Sequence, residues 1–535
     1  MTERQVSCHS RLRSVTGARL PDATSVRYSA SDTLLVIDPT DEQVGILGNS
    51  DWPGEIVILS PRGGELEPGS GSAAARVVAG SAQSIEGWLG RYQVRAADRN
   101  DKALTGLSPK PNGTFDMIID CRSQPLLDAP VARFGYFRAG SLGQLQDSVI
   151  AARQLIGNFE KPKYFDYQLE ICAHHSYGQT GCTRCLDVCG ADAIRSGGHQ
   201  IEINPYLCQG CGSCTLACPT GALSFVEPDR ASLLARVHDL APNPEDNERA
   251  PTLIVHDGSV DGPDPVGTAQ LGVQPLTAFG EELWIAALAL GFGRVVLQTA
   301  EPMEPRSRDV LARRLSDAQR MLPVLGLPPE AVALVGPDFQ PNDGSPTPEG
   351  IDPARSAIPG AGAILQGESA QPPSKRPLLN AGLDALQSAS ANESAASLNP
   401  GAPMGEILVD TTRCTLCSSC AKLCPTGAID YSEREQPGTA HLTFLEANCV
   451  QCGICVSGCP EQAITLWPRL ASKDVRRQRR VVASSPMAEC GDCGAQFAAQ
   501  TLLDSTVRRL RENGATEAVL EQAVRCPQCR AVRVG

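Results

Sequence analysis

Only 4% of this 535-residue chain is aromatic, and no apolar stretch approaches the roughly 20 residues that a membrane-spanning helix requires. The longest apolar run, residues 283–293 around Trp284, reads as a buried helix. The first 15 residues are charged and polar throughout, with no apolar export segment and no twin-arginine pair. The expected location is therefore the cytoplasm, without membrane insertion. Cations are scarce: 47 Lys and Arg stand against 60 Asp and Glu, a formal charge of −13. That balance disfavours nucleic acid as a partner, because phosphate binding depends on clustered Lys and Arg. The one basic run, residues 473–480, falls in a connector and reads as a solvated helix face. No G-x-x-x-x-G-K-S/T run supports nucleotide hydrolysis. Gly69, Gly71 and Ala74 spell G-x-G-x-x-A, but Pro68 precedes them in a polar loop with no strand leading in, so they read as turn composition.

What the chain does have is cysteine: 22 residues, together with 50 Gly and 41 Pro. A cytosolic chain keeps its thiols reduced, so metal ligation is the natural use of so many. Twenty of them fall into three blocks, and Cys8 and Cys121 stand alone as ordinary thiols. Residues 1–165 show short β-type runs at 33–38, 55–60 and 115–120 and a helical pattern over 142–159, as expected for a small α/β domain. The first cysteine-rich unit spans 166–228. Between 250 and 337, strand candidates at 252–256, 294–298 and 331–335 alternate with helices at 281–290 and 308–321, which argues for a parallel α/β sheet. Residues 338–404 are rich in Pro, Gly, Ser and Ala and read as a flexible linker. The second cysteine-rich unit spans 405–470, and a C-terminal module spans 485–535.

Cys414, Cys417, Cys420 and Cys424 precede Pro425, and Cys449, Cys452, Cys455 and Cys459 precede Pro460. Both are complete C-x2-C-x2-C-x3-C-P runs. In such pairs three thiolates wrap one 4Fe-4S cubane while the fourth reaches the other, so the runs interlock. Cys414, Cys417, Cys420 and Cys459 then hold one cluster, and Cys449, Cys452, Cys455 and Cys424 the other. Ser418, Ser419 and Gly453 are small enough to let backbone N–H groups approach the sulfurs. Cys208, Cys211, Cys214 and Cys218, followed by Pro219, form a third complete run. Its partner run is incomplete: Cys182, Cys185 and Cys189 are in place, but Gln179 stands at the first position and Gly190 follows Cys189. Cys172 is the nearest source of the missing thiolate, with His174, His175 or an open site as the alternatives. Interlocking would group Cys172, Cys182, Cys185 and Cys218, and likewise Cys208, Cys211, Cys214 and Cys189. Zinc is the competing ligand for both blocks, but its sites use two separated C-x2-C pairs rather than three consecutive cysteines at two-residue intervals.

The third block does have the zinc spacing. Cys490 with Cys493, and Cys526 with Cys529, flank a helical stretch over 502–524. Four thiolates so arranged fit a structural zinc ion or one iron of rubredoxin type, and zinc alone makes such a small module fold without redox chemistry.

The two large blocks resemble bacterial dicluster ferredoxins. More loosely, residues 115–135, 171–189 and 283–296 are similar to a family of multi-cluster ferredoxin-type proteins often linked with formate dehydrogenase systems. The middle part is also similar to a small hydrogenase-associated delta-subunit domain, with no functional residue to carry over. The fold implied is two α+β ferredoxin-like dicluster domains combined with α/β domains and a zinc-ribbon-like module at the C-terminus. The function implied is one-electron transfer through about four 4Fe-4S clusters between redox protein partners such as a formate dehydrogenase. The chain would be a carrier first, a non-catalytic redox subunit second, and an accessory factor for a metalloenzyme third.

Overall fold

The computed structural model describes residues 13–14, 25–63, 74–176, 178–242, 250–258, 267–336, 374–390, 392 and 394–534. Cys8, the glycines Gly69 and Gly71, and most of the expected linker lie outside them.

The N-terminal part is built on a five-stranded parallel sheet in the order Ala74–Ala79, Glu55–Ser60, Leu34–Ile37, Met117–Asp120, Tyr136–Arg138. The central strands are unbroken apolar runs, and every residue of Leu34–Ile37 and Met117–Asp120 is buried, as a parallel sheet covered on both faces requires. The helical pattern expected over 142–159 stops early. The helix covers Leu142–Arg153, and Gly157, at φ +137°, opens a strand Gly157–Pro162 that pairs antiparallel with Ser25–Ala30.

The middle part is a four-stranded parallel sheet in the order Thr268–Gly272, Thr252–His256, Arg294–Gln298, Val332–Val335. Helix Glu281–Ala289 against it has no exposed face at all. One side meets the sheet, and much of the other is covered by helix Lys375–Ala389, which packs along it. That second helix corrects the linker expectation. Residues 375–389 bury Leu378, Leu379, Leu383 and Leu386 at three- and four-residue spacing, an amphipathic period that the small-residue composition around them obscured. The basic run is corrected at one residue: Lys473, Arg477 and Arg479 are exposed, but Arg476, in helix Lys473–Arg477, is only 2% exposed and binds Asn380, Asp384 and Gln387 on helix Lys375–Ala389.

The two cysteine-rich units share one plan. In the first, Phe165–Tyr167 pairs with Leu223–Phe225 and Ile194–Ser196 with Ile201–Ile203. In the second, Gly405–Val409 pairs with Ile464–Leu470 and Ile429–Gln436 with Thr439–Leu445. The second hairpin continues into Arg479–Glu489 and Gln496–Ala499, so the C-terminal segment is attached by a shared sheet. The helical stretch expected over 502–524 is two helices, Gln500–Glu512 and Glu517–Ala523, broken where Gly514 takes φ +75°. Among the described residues no helix is long and apolar enough to cross a membrane.

Candidate metal centres

The three complete cysteine runs share a backbone signature that is stronger than their spacing. The residue two after the first cysteine and the residue just after the second are left-handed in each: Gly210 and Gly212, Leu416 and Ser418, Gln451 and Gly453, at φ between +51° and +82°. This conformation turns successive N–H groups toward one side, the arrangement that cradles anions. It is strained for Leu416 and Gln451, which sequence reasoning passed over because only the small residues drew notice. The incomplete run lacks it, since Thr183 has φ −114°. A second signature spans all four runs: Asp192, Gly221, Gly427 and Gln462, each three residues past the fourth cysteine, have φ between +50° and +80°. The turn aims Ala193 N–H at Cys189 Sγ (3.2 Å), Ala463 N–H at Cys459 Sγ (3.3 Å) and Leu223 N–H at Cys218 Sγ (3.5 Å).

The thiols lie near one another in groups. Cys214 lies in the field of Cys208, Cys211 and Cys189, and Cys185 in that of Cys218, Cys182 and Cys172. Cys455 neighbours Cys449, Cys452 and Cys424, while Cys420 neighbours Cys414, Cys417 and Cys459. Burial, then the neighbouring thiols, push Cys420 up to about 12, and burial first of all lifts Cys182, Cys208 and Cys452 to about 11. Such thiols hold their protons until a metal cation displaces them. One recess is bounded by Cys189, Cys208, Cys211 and Cys214, and another by Cys414, Cys417, Cys420 and Cys459. Iron-sulfur cores fit this donor set: thiolates in fours, apolar walls and inward N–H groups.

At the incomplete run, Cys172 stands beside the Tyr167 hydroxyl, which burial and then a hydrogen bond to the Cys172 sulfur push up. His174 is committed elsewhere, with Nδ1 2.9 Å from Cys182 O and Nε2 2.9 Å from Ser196 Oγ. His175 packs edge-on against His199. Gly190, where the complete runs have proline, sits in a tight place: a Cβ there would lie 3.0 Å from both Glu304 Oε1 and Val131 Cγ2.

Several cations around the thiols carry no sequence motif, and all but the half-exposed Arg306 are buried. Lys161, 0% exposed, donates to Cys208 O and lies over the Tyr28, Phe134 and Tyr164 rings. Arg306 donates to Cys189 O at 2.6 Å, Arg314 to Ala217 O at 2.9 Å, and Arg376 to Cys449 O at 2.8 Å. Hydrophobic periodicity in their helices was the available signal for the last three.

Near the C-terminus, Cys490, Cys493, Cys526 and Cys529 bring their sulfurs within 4.8 Å of one another, the tightest such group among the described residues and the right size for one ion. Backbone N–H groups, Cys526 N first, pull Cys490 down to about 6, so it is a thiolate at neutral pH. Cys121 stands apart at the end of strand Met117–Asp120, where burial, then Asp120 and Asp38, push it up to about 12. It is therefore expected to stay unlabelled by iodoacetamide at pH 8 in the native protein. Peptide mass mapping checks this, and prompt alkylation would show the burial to be wrong.

Residues 413–463 match the model of the 4Fe-4S dicluster domain, and residues 201–224 that of the 4Fe-4S binding domain. The ferredoxin-type protein NapF of Escherichia coli K12 is 39% identical over 54 residues, which are 9% of this chain and 33% of that protein. The same protein from Escherichia coli strains O6:H1 and O157:H7 matches equally. The chain thus spans about a third of the length of these curated relatives. Both matched segments lie on complete cysteine runs whose backbone turns N–H groups toward the sulfurs, and the chain is an iron-sulfur protein carrying two ferredoxin-type 4Fe-4S domains.

Proposed function

We propose that this protein carries single electrons between redox enzymes through four 4Fe-4S clusters, held by the sixteen cysteines of the two units with Cys172 as the sixteenth ligand. The observation that carries this reading is the grouping of those thiols, with backbone N–H donors approaching three of the four groups and apolar residues lining two of them. The clusters supply one-electron chemistry when bound. The chain's own part is to fix them rigidly, keep water away from the sulfurs, and tune their charge with N–H groups and buried cations. A structural zinc ion at Cys490, Cys493, Cys526 and Cys529 accounts for the compact C-terminal group better than a redox iron does. The cytoplasm suits twenty ligating thiols because it keeps them reduced. A formate dehydrogenase or related oxidoreductase as partner rests on the family resemblance alone, and the same partner accommodates a role as that enzyme's electron-transfer subunit.

The test is elemental analysis of anaerobically purified protein with an EPR spectrum after dithionite reduction. About 16 Fe with equal acid-labile sulfide and about one Zn are expected. Abundant zinc with little sulfide would overturn the redox reading.

A further inference from the structure

The two ferredoxin-type units meet at a built contact rather than across a tether. Arg184, which lies between the ligand candidates Cys182 and Cys185, reaches into the second unit. Its guanidinium donates to Val450 O at 3.2 Å, Gln451 O at 3.1 Å and Ala402 O at 3.3 Å. Val450 and Gln451 are the two residues between Cys449 and Cys452. Beside this fork the approach is close. A Cβ on Gly181 would stand 2.6 Å from Ala173 O and 3.3 Å from the Ile454 side chain, and the hairpin strand Gln179–Thr180 packs against helix Ile454–Ser457. Two consecutive residues of helix Lys375–Ala389 fix the same junction from behind. Lys375 Nζ donates to Leu216 O at 2.7 Å in the first unit, and Arg376 donates to Cys449 O at 2.8 Å in the second.

Resting on the four-cluster reading, we propose that the sites form one ordered route and that Arg184 is the positioning cation at its central crossing. The order runs from the Cys189, Cys208, Cys211, Cys214 site to the Cys172, Cys182, Cys185, Cys218 site. It then crosses to the Cys424, Cys449, Cys452, Cys455 site and ends at the Cys414, Cys417, Cys420, Cys459 site. The short helices that carry the cysteines pack in the same order: Arg184–Asp187 against Ser213–Ala217 in the first unit, and Ser419–Leu423 against Ile454–Ser457 in the second. An electron entering either unit therefore reaches the other without leaving the chain. Each reduction adds one negative charge to a site, so a fixed, partly buried cation between the two inner sites favours their reduced forms. The outer site of the second unit adjoins the C-terminal segment, where Thr501 donates to Thr415 O at 3.1 Å and Arg509 pairs with Glu461.

The experiment is potentiometric EPR on the full-length, metal-loaded chain, comparing wild type with R184Q and R184K. Iron and sulfide are assayed first, so a wild type without clusters condemns the four-cluster reading and not this one. In fully reduced wild type, magnetic interaction is expected between one cluster of each unit, and C452A should abolish it. R184Q should lower the reduced-to-oxidised ratio of the two inner clusters about tenfold at fixed potential, whereas R184K, which keeps the charge, should stay near wild type. No interaction between units in loaded wild type would overturn the route. Equal potentials in loaded wild type and R184Q, or R184K as impaired as R184Q, would overturn the role of the charge. Should R184Q lose its iron, the R184K potentials and the wild-type interaction still decide.

Discussion

Replacing Cys172 with alanine is expected to lower the iron content by up to about four atoms per chain, whereas His174→Ala leaves it unchanged. Cys172 lies in the field of Cys185 and within hydrogen-bonding reach of the Tyr167 hydroxyl. A thiolate bound to iron would accept that hydroxyl's proton, which satisfies an otherwise costly buried donor. His174 has both ring nitrogens engaged, so it can ligate only by abandoning Cys182 O or Ser196 Oγ. Tyr167→Phe should keep the iron and shift the potential of that one cluster downward, because a hydrogen bond to the thiolate is lost. Iron assay with EPR at stepped potentials checks all three variants. Unchanged iron and spectra in the Cys172 variant would place the ligand elsewhere.

The cysteine spacing announced the two units because cluster ligation demands those residues at those intervals, and composition did not have to be consulted. The middle strands were legible for a similar reason: Leu253, Val255, Val295 and Leu297 are apolar runs buried in a parallel sheet. Helix Lys375–Ala389 was not, because it sits at the end of a Pro- and Ser-rich stretch whose average hides four leucines at helical spacing. The strained Leu416 and Gln451 escaped notice too, since nothing in a leucine or glutamine advertises a left-handed backbone. Tertiary context imposes that conformation, and the cysteines on either side supply the context. Arg184, Arg376 and Lys161 were invisible for the opposite reason: single cations are unremarkable in a sequence, and only burial, partial at Arg184, makes them unusual.

The largest loss of stability is expected from Lys375→Met. Lys375 is 1% exposed, with Nζ 3.4 Å from Glu281 Oε1 and 3.8 Å from Glu282 Oε2. It also donates to Thr215 O and Leu216 O, carbonyls lying between Cys214 and Cys218. Among the described residues Glu281 has no other close cation than Arg314 at 4.0 Å, while Glu282 keeps Arg230 at 2.9 Å. Burial alone would raise the Glu281 carboxyl, but Lys375 and then Arg314 hold it below the usual glutamate range. Removing the lysine strands a buried carboxylate, a change of about 3–5 kcal/mol. Because the folded-state pKa of Glu281 is depressed, its contribution is present above the ordinary glutamate range and lost as pH falls through the folded value. The variant's deficit should therefore be greatest near neutral pH and shrink as the stranded carboxyl takes up a proton on acidification. Native-state hydrogen exchange across residues 281–289 and 375–389 reads this directly, and Glu281→Gln in the Lys375→Met background should recover part of the loss. A Lys375→Met variant whose protection matched wild type at pH 7 would mean that this buried pair does not hold the helix to the first unit.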